Sequence, residues 1–163
     1  MKFNNKKKSS FLESIPSCSI ESSGDTLAQK CKFNFSYFDS SQTAGTNIEE
    51  IQLGNLQKLF VKLQEYGKFN LTHWTREPIG HGKNHVLEIY GSFPRKSDFV
   101  HPKHVPHQAQ WARFRLDRET RLVGFTLDKE YDGMQQNKSG FCFCSNTFYV
   151  VFIDEKHGFY KTQ

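Results

Sequence analysis

Two strand-like segments joined by four polar residues, the first of which alternates apolar and charged residues, constrain the fold of this chain most strongly. The segments are "WARFRL" (111–116) and "RLVGFTL" (121–127), and "DRET" connects them. Ala112, Phe114 and Leu116 occupy alternate positions, so they share one face of a strand. A short polar connection between two such segments is typical of a β-hairpin. We therefore predict two adjacent antiparallel strands here.

Further strands are predicted before and after this hairpin. The segment "FCFCSNTFYVVFID" (141–154) is rich in aromatic and β-branched residues and predicts one or two strands, with a break at Ser145-Asn146. "VLEIYG" (86–91) predicts another strand. "CKFNFSYF" (31–38) predicts a first strand, because its aromatic residues alternate with polar ones.

A helix is predicted between the first strand and the others. The apolar residues that follow the helical spacing i, i+3, i+4, i+7 are Leu56, Leu59, Phe60 and Leu63. Asn47 with Glu50 three residues later resembles a capping box, so we expect the helix to begin there. Gly67 is the expected stop. The segment 69–77 predicts a second, shorter helix that ends before Pro78.

These elements predict an α+β fold, with an antiparallel sheet of about four to five strands and one or two helices packed on one face. The chain has 163 residues, which suits one domain. We assign residues 29–163 to that domain. Residues 1–28 are polar, Ser-rich and without periodicity, so we expect a mobile arm or a loosely docked extension.

The apolar segments are too short for a membrane-spanning helix. No apolar run reaches about 18 residues, which excludes a membrane-spanning helix. The lysine-rich N-terminus lacks the apolar region of a secretory signal. We therefore expect a cytoplasmic protein with no membrane partner.

Four cysteines occur, at positions 18, 31, 142 and 144. In a cytoplasmic protein they stay reduced. "FCFC" lacks the C-x-x-C spacing of redox and zinc motifs, so we interpret these residues as packing residues.

The basic face of the predicted hairpin is the first candidate site. Arg113 and Arg115 lie about 7 Å apart on the strand face opposite the apolar one. The formal net charge is +5, which fits a polyanion partner, although many proteins without such a partner share it. One guanidinium group can donate two parallel hydrogen bonds to the oxygens of a phosphate, so these arginines are candidates for phosphate contact. The alternative is a solvated face on which they pair with Asp117 and Glu119.

Three neighbouring residues extend this candidate site. Arg121 lies on the adjacent strand and Lys103 precedes the hairpin, so both can add positive charge for nucleic-acid binding. Trp111 shares the face of the arginines and offers a stacking surface for an unpaired base.

Histidines cluster immediately before the hairpin. His101, His104 and His107 are spaced three residues apart and could surround zinc. However, Pro102 and Pro106 exclude a regular helix, and a fourth ligand is missing. We predict no metal here and no cofactor. His104 and His107 are instead candidates for contact with a nucleic-acid backbone, and packing within the loop is the alternative.

The end of the chain holds a second candidate for proton transfer. His157 and Tyr160 follow the most strand-like segment, and a histidine exchanges protons near neutral pH. The alternative is a turn histidine followed by a core aromatic residue.

The pattern "WARFRL…RLVGFTL…NTFYVVFIDEKHGFY", with the helix at 47–66, resembles the RelE/ParE superfamily of bacterial toxins over residues 47–160. The resemblance implies helices packed on an antiparallel sheet. RelE-type members cleave mRNA, commonly on the ribosome, without metal, and an antitoxin protein is an implied partner. ParE-type members inhibit gyrase.

By position, Arg113 and Arg115 match the basic strand of that superfamily, and His157 and Tyr160 match its terminal catalytic pair. The resemblance then implies RNA cleavage by the 2′-hydroxyl group, which leaves a 2′,3′-cyclic phosphate. The N-terminal arm and the long segment 86–107 depart from the superfamily pattern.

Three classes of function remain open from the sequence. The first is a toxin-like ribonuclease. The second is a non-enzymatic nucleic-acid-binding or ribosome-binding module that uses the same basic face. The third is a protein-interaction module whose basic face meets an acidic partner.

Overall fold

Five strands form one mixed sheet in the computed structural model, which describes residues 6–16, 19–22, 24 and 26–161. The strands are β1 (Lys32–Asn34), β2 (Leu87–Gly91), β3 (Gln110–Arg115), β4 (Arg121–Thr126) and β5 (Thr147–Asp154). They lie in the order β1-β5-β4-β3-β2. The prediction of an α+β fold is confirmed, as are the hairpin and the break before Thr147.

One strand pair departs from the predicted antiparallel sheet. β2, β3, β4 and β5 are joined by antiparallel pairs, whereas β1 runs parallel to β5 with Lys32 opposite Thr147. The antiparallel prediction rests on hairpins, which join strands that follow each other in sequence. It does not extend to β1, because β1 pairs with β5. β1 is also shorter than the predicted segment 31–38.

Three α-helices accompany the sheet in the described part of the chain, and they are α1 (Lys6–Ser14), α2 (Leu53–Tyr66) and α3 (Leu71–Trp74). α2 begins later than predicted, because Asn47 precedes a separate 3₁₀ turn at Ile48–Glu50 and makes no side-chain capping bond. Gly67 has a φ of −63°, so it is not the left-handed stop that we expected. Asn70 caps α3 by accepting a hydrogen bond from the N–H of His73 at 2.8 Å.

The N-terminal arm contains α1, although its sequence predicts no regular structure. Every described side chain of this helix is exposed. Positions 1–5, 17, 18, 23 and 25 lie outside the described residues, and so does the interpretation of Cys18 as a packing residue. No helix of the described residues is long and apolar enough to cross a bilayer.

The helical side of the sheet forms the predicted core. Ala112, Phe114 and Leu116 are buried there, as their alternation predicts. α2 contributes Leu59 and Tyr66, and the Tyr66 hydroxyl donates a hydrogen bond to the carbonyl of Arg115.

The opposite side of the sheet carries a second core, which the sequence does not predict. A loop of residues 92–109 and the end of the chain cover it through Phe99, Val105 and Phe159. All six residues of β4 are buried as a result. The sheet is therefore an inner layer, and only parts of its second face reach solvent.

Candidate nucleic-acid interface

Trp111 does not offer a surface for base stacking. It is only 1 % exposed and lies in the second core. Its ring contacts Phe93 edge-on at 4.9 Å between centroids and stacks on Phe152 at 5.9 Å. The prediction was wrong because alternation separates two strand faces but does not say which of them faces water.

Arg121 is likewise a structural residue, and the prediction that it binds nucleic acid is wrong. It is 5 % exposed, and its terminal nitrogens donate to the backbone carbonyls of Asp117, Arg118 and Thr120 at 2.9 to 3.1 Å. These bonds tie the β3–β4 turn to the start of β4. Its guanidinium is turned into the fold and is unavailable to a phosphate.

We expect Arg121→Met to lower the free energy of unfolding by about 2 kcal/mol, because hydrogen bonds from a charged donor are lost inside the fold. Nucleic-acid binding of the folded variant is expected to stay unchanged. Urea unfolding and an RNA titration measure the two effects. A variant of unaltered stability with weakened RNA binding would contradict this structural role.

Arg113 and Arg115 have different surroundings although they share a strand face. The Nε of Arg115 donates to the carbonyl of Asp117 at 3.0 Å, so this side chain lies along the turn. Arg113 forms an ion pair with Glu88 at 3.2 Å and not with Asp117 or Glu119. Its guanidinium carbon also lies 5.8 Å from the ring centroid of Tyr90. Arg113 therefore belongs to a cluster on β2 that the sequence does not reveal.

Tyr90 connects Arg113 to Tyr160. The two tyrosine rings stack with centroids 4.6 Å apart and an angle of 5° between their planes. Two backbone hydrogen bonds hold the tail in place, from the N–H of Asp98 to Gly158 and from the N–H of Lys161 to Lys96.

Tyr160 remains 48 % exposed in this stack, and the neighbouring Phe159 is the core residue. Burial raises the pKa of Tyr90 to about 12, and Arg113 opposes the shift without cancelling it. The Tyr90 hydroxyl is consequently neutral at physiological pH.

An open cleft of about 570 Å³ borders the stacked rings. We call it the Tyr90–Tyr160 cleft, and its lining residues are Tyr90, Ser92, Phe93, Pro94, Arg95, Lys96, Tyr160 and Lys161. Lys161 pairs with Asp98. Arg95 and Lys96 are exposed, and neither forms an ion pair with any residue that the structure describes. The cleft thus combines aromatic rings with basic side chains that are free to bind an anion.

His157 forms no hydrogen bond or ring contact with Arg113 or Tyr160 in the described part of the chain. It is exposed and has a φ of 55°, in a turn that directly follows β5. The catalytic pair that the resemblance implies is therefore not assembled by direct contact.

The three clustered histidines, His101, His104 and His107, do not converge on one point. The ring of His101 packs against Trp111 at 5.3 Å, whereas Nε2 of His104 lies 3.1 Å from the carbonyl oxygen of Tyr37. His107 and Lys103 are exposed. No group of three or more His, Cys, Asp or Glu side chains in the described part of the chain has the geometry of a metal site. The residues that line the Tyr90–Tyr160 cleft do not include His101, Lys103, His104 or His107.

Sequence reasoning missed the residues that form the cleft with Tyr160. Arg95 and Lys96 follow Pro94 in a loop without periodicity, and Tyr90 lies in a predicted strand. The sequence signal that could have suggested these residues is a pair of adjacent basic residues, Arg95 and Lys96, shortly after a strand that contains Tyr90.

The chain was also compared with known proteins. It matches no protein-family model, no curated protein and no solved structure at a significant level. The function of the cleft is therefore inferred from its own geometry.

Proposed function

We propose that the chain binds single-stranded RNA in the Tyr90–Tyr160 cleft. The observation that carries the proposal is an exposed, stacked tyrosine in the same cleft as Arg95 and Lys96, which form no ion pair with the described residues. Proteins that bind single strands combine these two features, because aromatic rings stack on bases and basic groups contact the backbone.

The stacking part of the proposal rests on Tyr160. Its ring is already held parallel to Tyr90, so little conformational freedom is lost when a base stacks on its exposed part. Stacking of one base on an aromatic side chain contributes about 1–3 kcal/mol. Bases inside a duplex are already stacked on each other, so the cleft favours unpaired bases.

The phosphate part rests on Arg95 and Lys96, with Arg113 as a third group. The ion pair of Arg113 with Glu88 uses one of five guanidinium donors, so other donors remain for a phosphate oxygen. Arg113 is not among the residues that line the cleft, but its side chain is 24 % exposed and lies against the ring of Tyr90, which does line it.

RNA cleavage of the RelE type is the second candidate function, because Arg113 and Tyr160 both contact Tyr90. In this reaction the 2′-hydroxyl oxygen attacks the adjacent phosphorus and loses its proton. The bond from phosphorus to the 5′-oxygen breaks, and that oxygen gains a proton. Arg113 stabilises the charge on the phosphate, and the Tyr160 hydroxyl exchanges a proton with the reacting oxygens. The products are a 2′,3′-cyclic phosphate and a 5′-hydroxyl end.

We expect Tyr160→Ala to weaken binding of a single-stranded RNA about tenfold, because one base loses its stacking partner. The double variant Arg95→Gln/Lys96→Gln is expected to lower the slope of log K against log salt by about 1.4, since each single-strand phosphate contact contributes about 0.7. Fluorescence anisotropy with a labelled oligonucleotide at several salt concentrations measures both effects.

The matched controls are an exposed aromatic residue and an exposed lysine that do not line the cleft. Phe141→Ala and Lys138→Gln are expected to leave binding unchanged. If the controls weaken binding as much as the cleft variants do, binding is a general charge effect and the proposal fails.

Gel analysis of the same RNA with a chelator present tests cleavage, and a 2′,3′-cyclic end that is lost in Tyr160→Phe would support the second candidate.

A further inference from the structure

A cysteine and a lysine from distant parts of the sequence form a contact at the edge of the sheet. The Nζ of Lys32 donates to the Sγ of Cys144 at 3.2 Å. Lys32 is the first residue of β1, and Cys144 lies three residues before β5 begins. The contact depends on the parallel pairing of these strands, which places Lys32 opposite Thr147 and lets its N–H donate to the carbonyl of Asn146 at 3.1 Å.

The surroundings of Cys144 favour the thiolate. Partial burial by itself raises the pKa of the thiol. Hydrogen bonds from the side chains of Lys32 and Thr147 and from the N–H of Asn146 outweigh this effect, so the pKa lies below its ordinary value. A thiolate beside a lysine and still open to solvent is the usual setting of a reactive cysteine.

The other described cysteines lack this setting, although the sequence suggests that all serve for packing. Cys31 is buried and donates to the carbonyl of Tyr66, and burial raises its pKa to about 11. Cys142 is exposed two residues before Cys144, and no basic side chain of the described residues forms a hydrogen bond with it. The interpretation as a packing residue is correct for Cys31 and wrong for Cys142, which is exposed.

We propose that Cys144 is a modification site that reacts with low-molecular-weight disulfides. The Cys144 thiolate attacks one sulfur of the reagent disulfide and forms a mixed disulfide with it. The sulfur–sulfur bond of the reagent breaks, and the leaving thiolate takes a proton from water. Lys32 holds Cys144 as the thiolate before attack, and its ammonium group is released from the contact when the charge on the sulfur is lost.

The test uses the reduced full-length protein and 2-hydroxyethyl disulfide, a neutral reagent that a positive surface does not attract. Peptide mass spectrometry follows modification of each cysteine over time and across pH 5 to 9. We expect Cys144 to react at least tenfold faster than Cys142 at pH 7, with a lower pH midpoint, and Cys31 to stay unmodified in the folded protein. Equal rates and midpoints for Cys142 and Cys144 would overturn the proposal.

Lys32→Gln separates the role of the lysine from simple exposure. We expect the pH midpoint of Cys144 to rise and that of Cys142 to stay the same, while Lys32→Arg retains the wild-type profile. An unchanged midpoint in Lys32→Gln would overturn the role of the lysine. If Cys31 becomes reactive in that variant, β1 has detached, and Thr147→Val then decides, because it removes another donor to Cys144 while Lys32 stays in place. A higher pH midpoint of Cys144 in Thr147→Val is the expected result, and an unchanged midpoint would overturn the proposal.

Discussion

Replacement of Gly124 by alanine is expected to lower the free energy of unfolding by more than about 3 kcal/mol, because overpacking at a central strand forces the backbone apart. A Cβ atom at this position would lie 2.0 Å from the carbonyl oxygen of Tyr149 and 2.9 Å from the ring of Phe148. The close approach occurs where the register between β4 and β5 shifts after Val123. Urea unfolding followed by circular dichroism measures the loss.

Gly54 provides the matched control, because a Cβ there would meet no atom within 4 Å. It is the second residue of α2, so Gly54→Ala is expected to raise stability by up to about 1 kcal/mol through helix propensity. A Gly124→Ala protein that unfolds within a few degrees of the wild type would show that β4 and β5 can separate without loss. If Gly124→Ala does not accumulate as folded protein while Gly54→Ala does, the expectation is met.

Replacement of Asp154 by alanine is expected to lower the free energy of unfolding by about 3 kcal/mol, because buried donors are left without acceptors. The Asp154 carboxylate is almost fully buried at the end of β5 and accepts hydrogen bonds from the N–H groups of Lys156, Gly158 and Phe159 at 2.9 to 3.1 Å. These bonds shape the turn that leads to Tyr160. The variant is therefore expected to lose RNA binding as well as stability.

Asp128→Ala is the control for this prediction. Asp128 also accepts a backbone hydrogen bond, from the N–H of Glu130 at 3.2 Å, but it does so in an exposed turn. Its removal is expected to lower stability by only about 1 kcal/mol. Thermal melts of the two variants side by side test the difference, and equal losses would mean that the buried carboxylate has no special role.

The sequence predicted the elements of the fold better than their surroundings. Ala112 and Phe114 identify the face of β3 that packs on the helices, because alternation places these small and apolar residues together on one face. The second core was not predictable in this way, since it is covered by a loop without periodicity. Trp111 was misassigned for that reason, because burial by a loop leaves no mark on the strand that it covers. Arg121 was misassigned because the carbonyls of the β3–β4 turn bind its guanidinium, and the strand pattern does not show this.

The candidate site was predictable only in part. Arg113 and Tyr160 were identified from the strand pattern and from the end of the chain. Tyr90, which contacts both, lies in a segment that by sequence is an ordinary strand. Its role follows from the register of β2 against β3, and a single sequence does not fix that register.

The parallel pair of β1 and β5 has a consequence for synthesis of the protein. β5 lies between β1 and β4, so the first strand to be made has no partner until residues 147–154 have been added. Until then β4 has an unpaired edge, although every one of its side chains is buried in the finished fold. Both pairings of β5 therefore wait until residues 147–154 have been made, which favours slow folding and leaves strand edges open to aggregation in the meantime.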